Sequence, residues 1–436
     1  MQISVIFYIL PLVLCIFAAV NTMSIRMKEK DKVEQCVLSN GLRVIYSPVD
    51  SDVMYCGFAV KAGTRHELDS ESGMAHFVEH VIFKGTTHRK AWHILNRMES
   101  VGGDLNAYTN KEEMVVYSSF LQRDMPRAIE LLSDIVFHSV FPQREIDKET
   151  EVIIDEIQSY EDSPADLIFD DFEAMVFRGH PLGRNILGSP ERLKEYRTDD
   201  ALAFTRRLYY PSNMVFFVQG RARMVQVVKL LERYLEGVPQ GEAVVDCSVP
   251  PLYKPEHLVF HKDTHQAHVM LGSRGYNAYD DKRTALYLLN NILGGPGMNS
   301  RLNVALRERR GLVYNVESNL TSYTDTGAFC IYFGCDLEDV DTCMKVVRKE
   351  LKRLRDVKMS SLQLHAAVKQ LVGQIYVASD NFENNALSMA KSYLHYNKYE
   401  SIGEVCRRIE QLTPECMLEV SNEMFADDYL STLIYR

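Results

Sequence analysis

Two histidines four residues apart, with a glutamate between them, constrain this chain more than any other feature of its sequence. They are His76, Glu79 and His80. On a helix, residues four apart lie one above the other, and a residue three positions along borders the same face. A helix at this motif would therefore present both imidazoles to one metal ion, with a carboxylate beside them.

Apolar neighbours favour a buried helix here. The surrounding apolar residues are Met74, Phe77, Val78, Val81, Ile82 and Phe83, and Gly85 gives the helix an end. A core helix whose histidines are satisfied by hydrogen bonds is the alternative, and for a lone histidine it would be the better interpretation. Three clustered ionisable groups are costly to bury without a metal or other partners. The H-x-x-E-H order is a pattern of zinc-dependent peptide hydrolases, which makes such an enzyme the leading hypothesis.

The two histidines need a third partner, because catalytic zinc usually takes three protein ligands and keeps one position for water. The acidic segment 145–162 is predicted to be a helix, since apolar residues recur in it at near-helical spacing. Glu149 and Glu156, seven residues apart, are predicted to lie on the same side of the helix as Val152 and Ile153 and to face inward. The residues alone do not rank Glu149 against Glu156 as the ligand.

Further motifs follow the same order as in a known family. Segment 57–65 reads GFAVKAGTR, segment 102–109 reads GGDLNAYT and segment 306–314 reads LRERRGLVY. With these segments the chain resembles the pitrilysin/insulinase family of zinc peptidases over about residues 35–436. It is similar above all to the processing-peptidase and small bacterial members of that family.

The resemblance implies the missing ligand. In the family the ligand glutamate lies about 76 residues beyond the second histidine, which is the position of Glu156 relative to His80. In the family, a glutamate seven residues before the ligand glutamate supports the metal ligands without binding the metal itself, and Glu149 matches this position. The implied cofactor is Zn²⁺, and the implied general base is Glu79.

The resemblance also assigns roles outside the metal site. Arg307 and Tyr314 would stabilise the developing oxyanion, although an exposed charge beside Arg309 and Arg310 is the alternative for Arg307. Asn106 and Ala107 would bind the substrate main chain by strand addition, which favours extended peptides over folded proteins. The implied function is a zinc metalloendopeptidase.

The chain is predicted to form two domains, because single cores rarely grow beyond about 250–300 residues. Helix and strand breakers predict a linker at 238–255, between domains at 31–237 and 256–436. Both halves show a strand pair that leads into a helix, which predicts an α+β class with antiparallel sheets and an internal duplication. The second half has a helix near 284–293 but no histidine pair there, so we expect one zinc ion per chain.

The resemblance implies a dimer. In larger family members two such halves are fused, and the arginine and tyrosine element lies in the half opposite the zinc. This chain corresponds to one half, so a homodimer, or a heterodimer with a paralogue, would let Arg307 and Tyr314 complete the partner's zinc site. A non-catalytic peptide-binding or scaffold subunit is the competing hypothesis, and the complete set of zinc-site residues argues against it.

The charge of the chain argues against nucleic acid as a partner. Its formal net charge is −10, and no basic stripe interleaved with aromatic residues is present in the sequence. Peptide substrate and a second peptidase-like chain remain the expected partners.

The first 30 residues are either an apolar leader or the product of a start site placed too early. Residues 2–20 are almost wholly apolar, and the first basic residue is Arg26, which reverses the polarity of a secretory signal. A spanning helix and a lipoprotein signal at Cys15 are alternatives, and membrane contact is expected only if this segment is retained. We favour a start at Met23 or Met27 and a cytoplasmic enzyme, which also agrees with nine scattered cysteines that form no C-x-x-C pair.

Overall fold

Two β-sheets, each packed against helices, make up the described part of the chain. The computed structural model describes residues 33–244, 248–262 and 264–436, so the leader interpretation of residues 1–30 lies outside the described residues. The predicted α+β class with two similar units is confirmed. Among the described residues, no helix has the length and apolarity needed to cross a bilayer.

The first unit comes from the N-terminal half of the chain. Its strands are β1 (Glu34–Val37), β2 (Arg43–Pro48), β3 (Val53–Val60), β4 (Asp104–Thr109), β5 (Met114–Leu121) and β6 (Met214–Gly220). Its helices are α1 (Met74–Val81), α2 (Ala91–Glu99), α3 (Met125–His138), α4 (Gln143–Glu161), α5 (Pro164–Val176), α6 (Pro190–Leu193), α7 (Thr198–Leu208) and α8 (Met224–Tyr234).

The second unit follows. Its strands are β7 (His257–Phe260), β8 (Ala267–Gly275), β9 (Val313–Ser322), β10 (Gly327–Cys335) and β11 (Ser431–Tyr435). Its helices are α9 (Arg283–Gly294), a π-helical segment (Asn303–Glu308), α10 (Val340–Asp356), α11 (Ser361–Ala378), α12 (Phe382–Tyr396), α13 (Ile402–Glu410) and α14 (Pro414–Met424).

The sheets share one plan. The first has the order β1-β2-β6-β3-β5-β4 and the second the order β7-β11-β8-β10-β9, each with one parallel pair among antiparallel ones. Both end in a hairpin whose first strand, β4 or β9, is the edge of its sheet. An edge strand leaves one row of main-chain N–H and C=O groups without a neighbouring strand. The equivalent hairpins account for the internal duplication that the sequence predicted.

Each unit contributes one helix to the sheet of the other. Helix α12 packs on one face of the first sheet, where Met389 and Tyr393 meet Val215 and Phe217. Helix α5 packs on the second sheet, where Phe172 lies in one cluster with Tyr332 and Leu433. Because α3 packs on the opposite face of the first sheet, β6 is buried along its whole length.

The turn between β4 and β5 is tied to the second unit by buried polar groups. Glu112 accepts a hydrogen bond from the hydroxyl of Thr324 (2.6 Å), and Glu113 lies 2.7 Å from Nε2 of His395. Glu113 is fully buried, and its bonding to His395 holds the pKa of the carboxyl at about 2 despite the opposing effect of burial. These contacts fix one end of β4 against the second unit.

Candidate metal centre

Helix α1 begins at a tightly packed glycine. Gly73 has φ of +83°, and a Cβ there would lie 2.7 Å from Cα of Gly188, so a larger residue does not fit. The buried carboxyl group of Glu67 accepts hydrogen bonds from the main-chain N–H groups of Gly73 (3.1 Å) and Ala75 (2.9 Å). These are donors that a helix leaves unpaired at its first turn. Glu67 therefore fixes the start of the helix that carries both histidines.

Replacing Glu67 by alanine is expected to destabilise the protein by about 2–3 kcal/mol, because it leaves two buried N–H groups without an acceptor. Urea unfolding of the wild type and the variant measures the loss. Asp69 is the matched control, since its side chain is 99% exposed and Asp69→Ala should cost less than about 1 kcal/mol. Equal effects of the two substitutions would contradict this role for Glu67.

The structure brings the three predicted metal ligands together. His76 and His80 lie on α1 with their ring centroids 4.7 Å apart. Glu156 lies on α4, and its Oε2 atom is 3.8 Å from Nε2 of His76 and 3.5 Å from Nε2 of His80. One ligand atom from each residue lies within 4.8 Å of the other two.

These separations suit a zinc ion. Ligands about 2.0–2.1 Å from a tetrahedral zinc lie ~3.3–3.4 Å from one another, close to the 3.5 and 3.8 Å observed. Burial, with a smaller contribution from His80, lowers the pKa of His76 to about 3. The His76 ring is therefore neutral at pH 7 and keeps a lone pair for a metal. The donor set fits the ion.

Glu149 lies beside His80, at the ring nitrogen that does not face Glu156. Its Oε2 atom is 3.3 Å from Nδ1 of His80, and its Oε1 atom is 2.7 Å from Nζ of Lys84. A carboxylate on the second nitrogen of a ligating imidazole orients the ring. The ion pair of Lys84 with Glu149 was not predicted. Lys84 lies four residues after His80, just beyond the end of α1.

The prediction that Val152 faces inward was wrong. Its side chain is 49% exposed, whereas Ile146, Ile153 and Ile157 are buried. Adjacent residues on a helix point about 100° apart, so Val152 lies off the stripe that Ile153 belongs to.

Glu79 borders the ligands and the edge strand. Burial raises the pKa of its carboxyl, and nearby Glu156 adds to this, while hydrogen bonds from Thr109 and the charge of His80 act in the opposite direction. Thr109 is the last residue of β4 and also donates its hydroxyl to the carbonyl of Ala75 (3.5 Å). Thr109 is the last residue of the family-like segment 102–109, and its proximity to Glu79 was not predicted.

Asn106 and Ala107 lie in the middle of β4. They pair with Tyr117 and Val116 of β5 on one side, and no other strand of the described residues lies on the other side. Asn106 is exposed and Ala107 is half-buried. The main chain at these residues is therefore open to a further strand close to Glu79.

Among the described residues, the side chains of Arg307 and Tyr314 in the second unit make no hydrogen bond or ion pair with the residues of the metal centre. Arg307 lies in the π-helical segment, the chain turns at Gly311 with φ of +63°, and Tyr314 is the second residue of β9. Arg307 is exposed and Tyr314 is 83% exposed. Within the described ranges, no hydrogen bond or ion pair of either side chain is found.

Comparison with known proteins gives matches over most of the chain. Residues 43–190 match the family model described as Insulinase (Peptidase family M16), and residues 197–371 match the one described as Peptidase M16 inactive domain. A protein of Rickettsia bellii named "uncharacterized zinc protease" is 31% identical over 409 residues, which covers 94% of this chain and 98% of the relative. A zinc protease of Bacillus subtilis is 29% identical and covers 92% and 98%.

Two solved structures share the fold. A protease from Helicobacter pylori superimposes with a TM-score of 0.86 at 22% identity, covering 93% of this chain and 99% of its own. A peptidase M16 inactive domain from Pseudomonas fluorescens gives 0.86 at 19% identity, covering 93% and 97%.

Proposed function

Because the chain belongs to the insulinase (M16) family of zinc peptidases, we propose that it is a zinc metalloendopeptidase that hydrolyses extended peptides. The observation that carries the proposal is the convergence of His76, His80 and Glu156 beside the buried carboxyl of Glu79. These four residues supply two imidazoles and one carboxyl group as ligands and a second carboxyl group as base, which is the set that peptide hydrolysis with zinc requires.

Zinc, when bound, supplies a Lewis acid that polarises a peptide carbonyl and lowers the pKa of water. Glu79 takes a proton from the attacking water at its carboxylate and passes it to the leaving amine. The raised pKa of Glu79 brings the base closer to neutral pH, where proton transfer in both directions is efficient. Thr109, at the end of β4, interacts with the Glu79 carboxyl and opposes the rise of its pKa.

The open edge of β4 supports the choice of substrate. A peptide that adds to this edge receives main-chain hydrogen bonds at Asn106 and Ala107, whatever its side chains. Only an extended segment can pair in this way, so unfolded or short peptides fit and compact domains do not.

A non-catalytic peptide-binding subunit is the second candidate. The match of residues 197–371 to a model described as inactive favours it. That match begins at residue 197, beyond the histidine pair. Residues 43–190 contain His76, Glu79 and His80 and match the peptidase model. We therefore retain the peptidase as the proposal.

Removing and restoring the metal tests the proposal. Cleavage of a quenched extended peptide by the full chain should fall to background after dialysis against a chelator, and one equivalent of Zn²⁺ should restore it. A protein that binds zinc at the centre but never cleaves a panel of extended peptides would favour the binding subunit.

We further propose that two chains form the working unit, and that Arg307 and Tyr314 stabilise the oxyanion in the partner's zinc site. Both side chains are exposed and have no partner within the described ranges, which supports this role. A polar side chain that contacts substrate in a partner chain would have no such contact in an isolated chain. The partner is a second copy of this chain or a paralogue.

Mixed dimers test the exchange of residues between chains. A dimer of one His76→Ala chain and one Arg307→Ala chain should keep about half of the wild-type activity, because one intact zinc site meets one intact arginine. The control is a dimer of wild type with a chain carrying both substitutions, which should be inactive. Two differently tagged chains allow both dimers to be purified. The opposite pattern would mean that Arg307 acts within its own chain.

A further inference from the structure

A second group of metal-binding side chains lies beyond the end of α1. It consists of His88, in the loop after α1, and of Asp134 and His138 at the end of α3. One ligand atom from each lies within 4.8 Å of the other two. Oδ1 of Asp134 forms a 2.6 Å hydrogen bond with Nδ1 of His88, which a bound metal would have to replace, and lies 3.6 Å from Nδ1 of His138. The imidazole centroids are 5.1 Å apart.

The nitrogen of His138 that points into this group is buried and unpaired. It lies beyond hydrogen-bonding distance of Asp134, and it has no other hydrogen-bond partner among the described residues. An unsatisfied buried polar atom is unfavourable, and a bound cation would satisfy it.

The carboxylate of Asp134 is already oriented toward the two rings. Its Oδ2 atom accepts hydrogen bonds from the hydroxyl of Thr86 (2.8 Å) and from Nη1 of Arg89 (2.6 Å), which leaves Oδ1 for the imidazoles. Arg89 shares its charge with Glu130 through a second ion pair. Supporting contacts of this kind fix a ligand in place before a metal arrives.

We propose that His88, Asp134 and His138 form a second divalent-metal site on this chain. Two imidazoles and one carboxylate suit Zn²⁺ and neighbouring first-row ions, whereas Mg²⁺ and Ca²⁺ prefer all-oxygen ligands. The His88 side chain is 60% exposed, so the site opens to solvent, and water completes the coordination. A bound ion joins the loop after α1 to α3.

This site is separate from the first centre. In the chain, Lys84 lies between His80 of the first centre and His88 of the second group, and it pairs with Glu149 beside the first centre. The two sites share no ligand, so each can be removed without the other. The second site does not depend on the proposed peptidase activity.

Counting bound zinc tests the second site. The metal-stripped full chain is dialysed to equilibrium with Zn²⁺, and bound ions per chain are measured. We expect two for the wild type, one for His76→Ala and one for His138→Ala. His93→Ala, at an exposed histidine of α2, is the matched control and should bind two. Histidines are replaced rather than Asp134, because removal of Asp134 would leave Arg89 without one of its partners and could unfold the region.

Cobalt gives a second readout that does not depend on activity. His76→Ala loaded with Co²⁺ should show visible absorption of protein-bound cobalt, and this absorption should be lost in the His76→Ala/His138→Ala double variant. Circular dichroism of each variant checks that it is folded. The proposal is overturned if the wild type binds one ion only, or if a second ion persists in the His88→Ala/His138→Ala variant. Neither outcome bears on peptidase activity.

Discussion

Replacing Glu79 by glutamine is expected to lower kcat by about 10³-fold, within the range that a positioned general base contributes. The amide keeps the size of the side chain but cannot take a proton from water. Glutamine also keeps a group that can bond to Thr109, so the fold and the ligands should be unaffected. Cleavage of a quenched peptide gives kcat, and metal analysis gives the zinc content of the same preparation.

The zinc content is the internal control for this variant. Glu79 is not among the three ligands that converge, so Glu79→Gln should bind as much zinc as the wild type. A variant that keeps its zinc and more than a tenth of the wild-type kcat would show that another group acts as the base. A variant that loses its zinc would show that Glu79 is a ligand.

Replacing Glu156 by alanine is expected to weaken zinc binding by about 10³-fold and to reduce peptidase activity to background at trace zinc. Structural zinc sites bind with about 10–16 kcal/mol in total, so the loss of one ligand of three costs about 4 kcal/mol. Competition with a chromogenic chelator measures the affinity. Glu151→Ala is the matched control, because Glu151 lies on the same helix and is exposed to solvent.

Replacing Glu149 by alanine tests which of the two glutamates, Glu149 or Glu156, is the metal ligand, a question that the residues alone left open. Glu149 touches His80 and Lys84 and lies on the far side of the imidazole from the centre. Its loss should weaken zinc binding by about 10–100-fold, and excess zinc should restore activity. If Glu149→Ala loses more affinity than Glu156→Ala, the assignment of ligand and supporting residue is reversed.

The local part of the site could be predicted from sequence, because its geometry follows from helix periodicity. The spacing of His76, Glu79 and His80 places them on one face once the segment is a helix, and the apolar neighbours indicate that the helix is buried. Glu156 is different. Its place depends on how α4 packs against α1, which no local pattern records, and only the family spacing pointed to it.

The parts that sequence analysis missed depend on contacts between distant segments. The exchange of α5 and α12 between the two sheets joins residues more than a hundred positions apart. Thr109 reaches Glu79 because the end of β4 passes α1. His88 meets Asp134 because a loop folds onto the end of α3. Val152 was misplaced for a simpler reason, since two adjacent apolar residues on a helix cannot both lie at the centre of its buried face.

The position of the edge strand connects the two units with the proposed reaction. One end of β4 carries Thr109 beside Glu79, and the turn that follows is held to the second unit through Glu112 and Glu113. Substrate bound along β4 would therefore lie on a strand whose position both units determine. The proposed activity thus requires the intact chain rather than the N-terminal half.

Diffraction at the zinc edge from crystals of the zinc-loaded protein tests the central claim most directly. We predict an anomalous peak about 2.0–2.2 Å from Nε2 of His76, from Nε2 of His80 and from a carboxylate oxygen of Glu156. The claim would be contradicted by a peak that lies out of bonding distance of any of these three atoms. It would also be contradicted if saturating zinc bound elsewhere on the chain and left this centre empty.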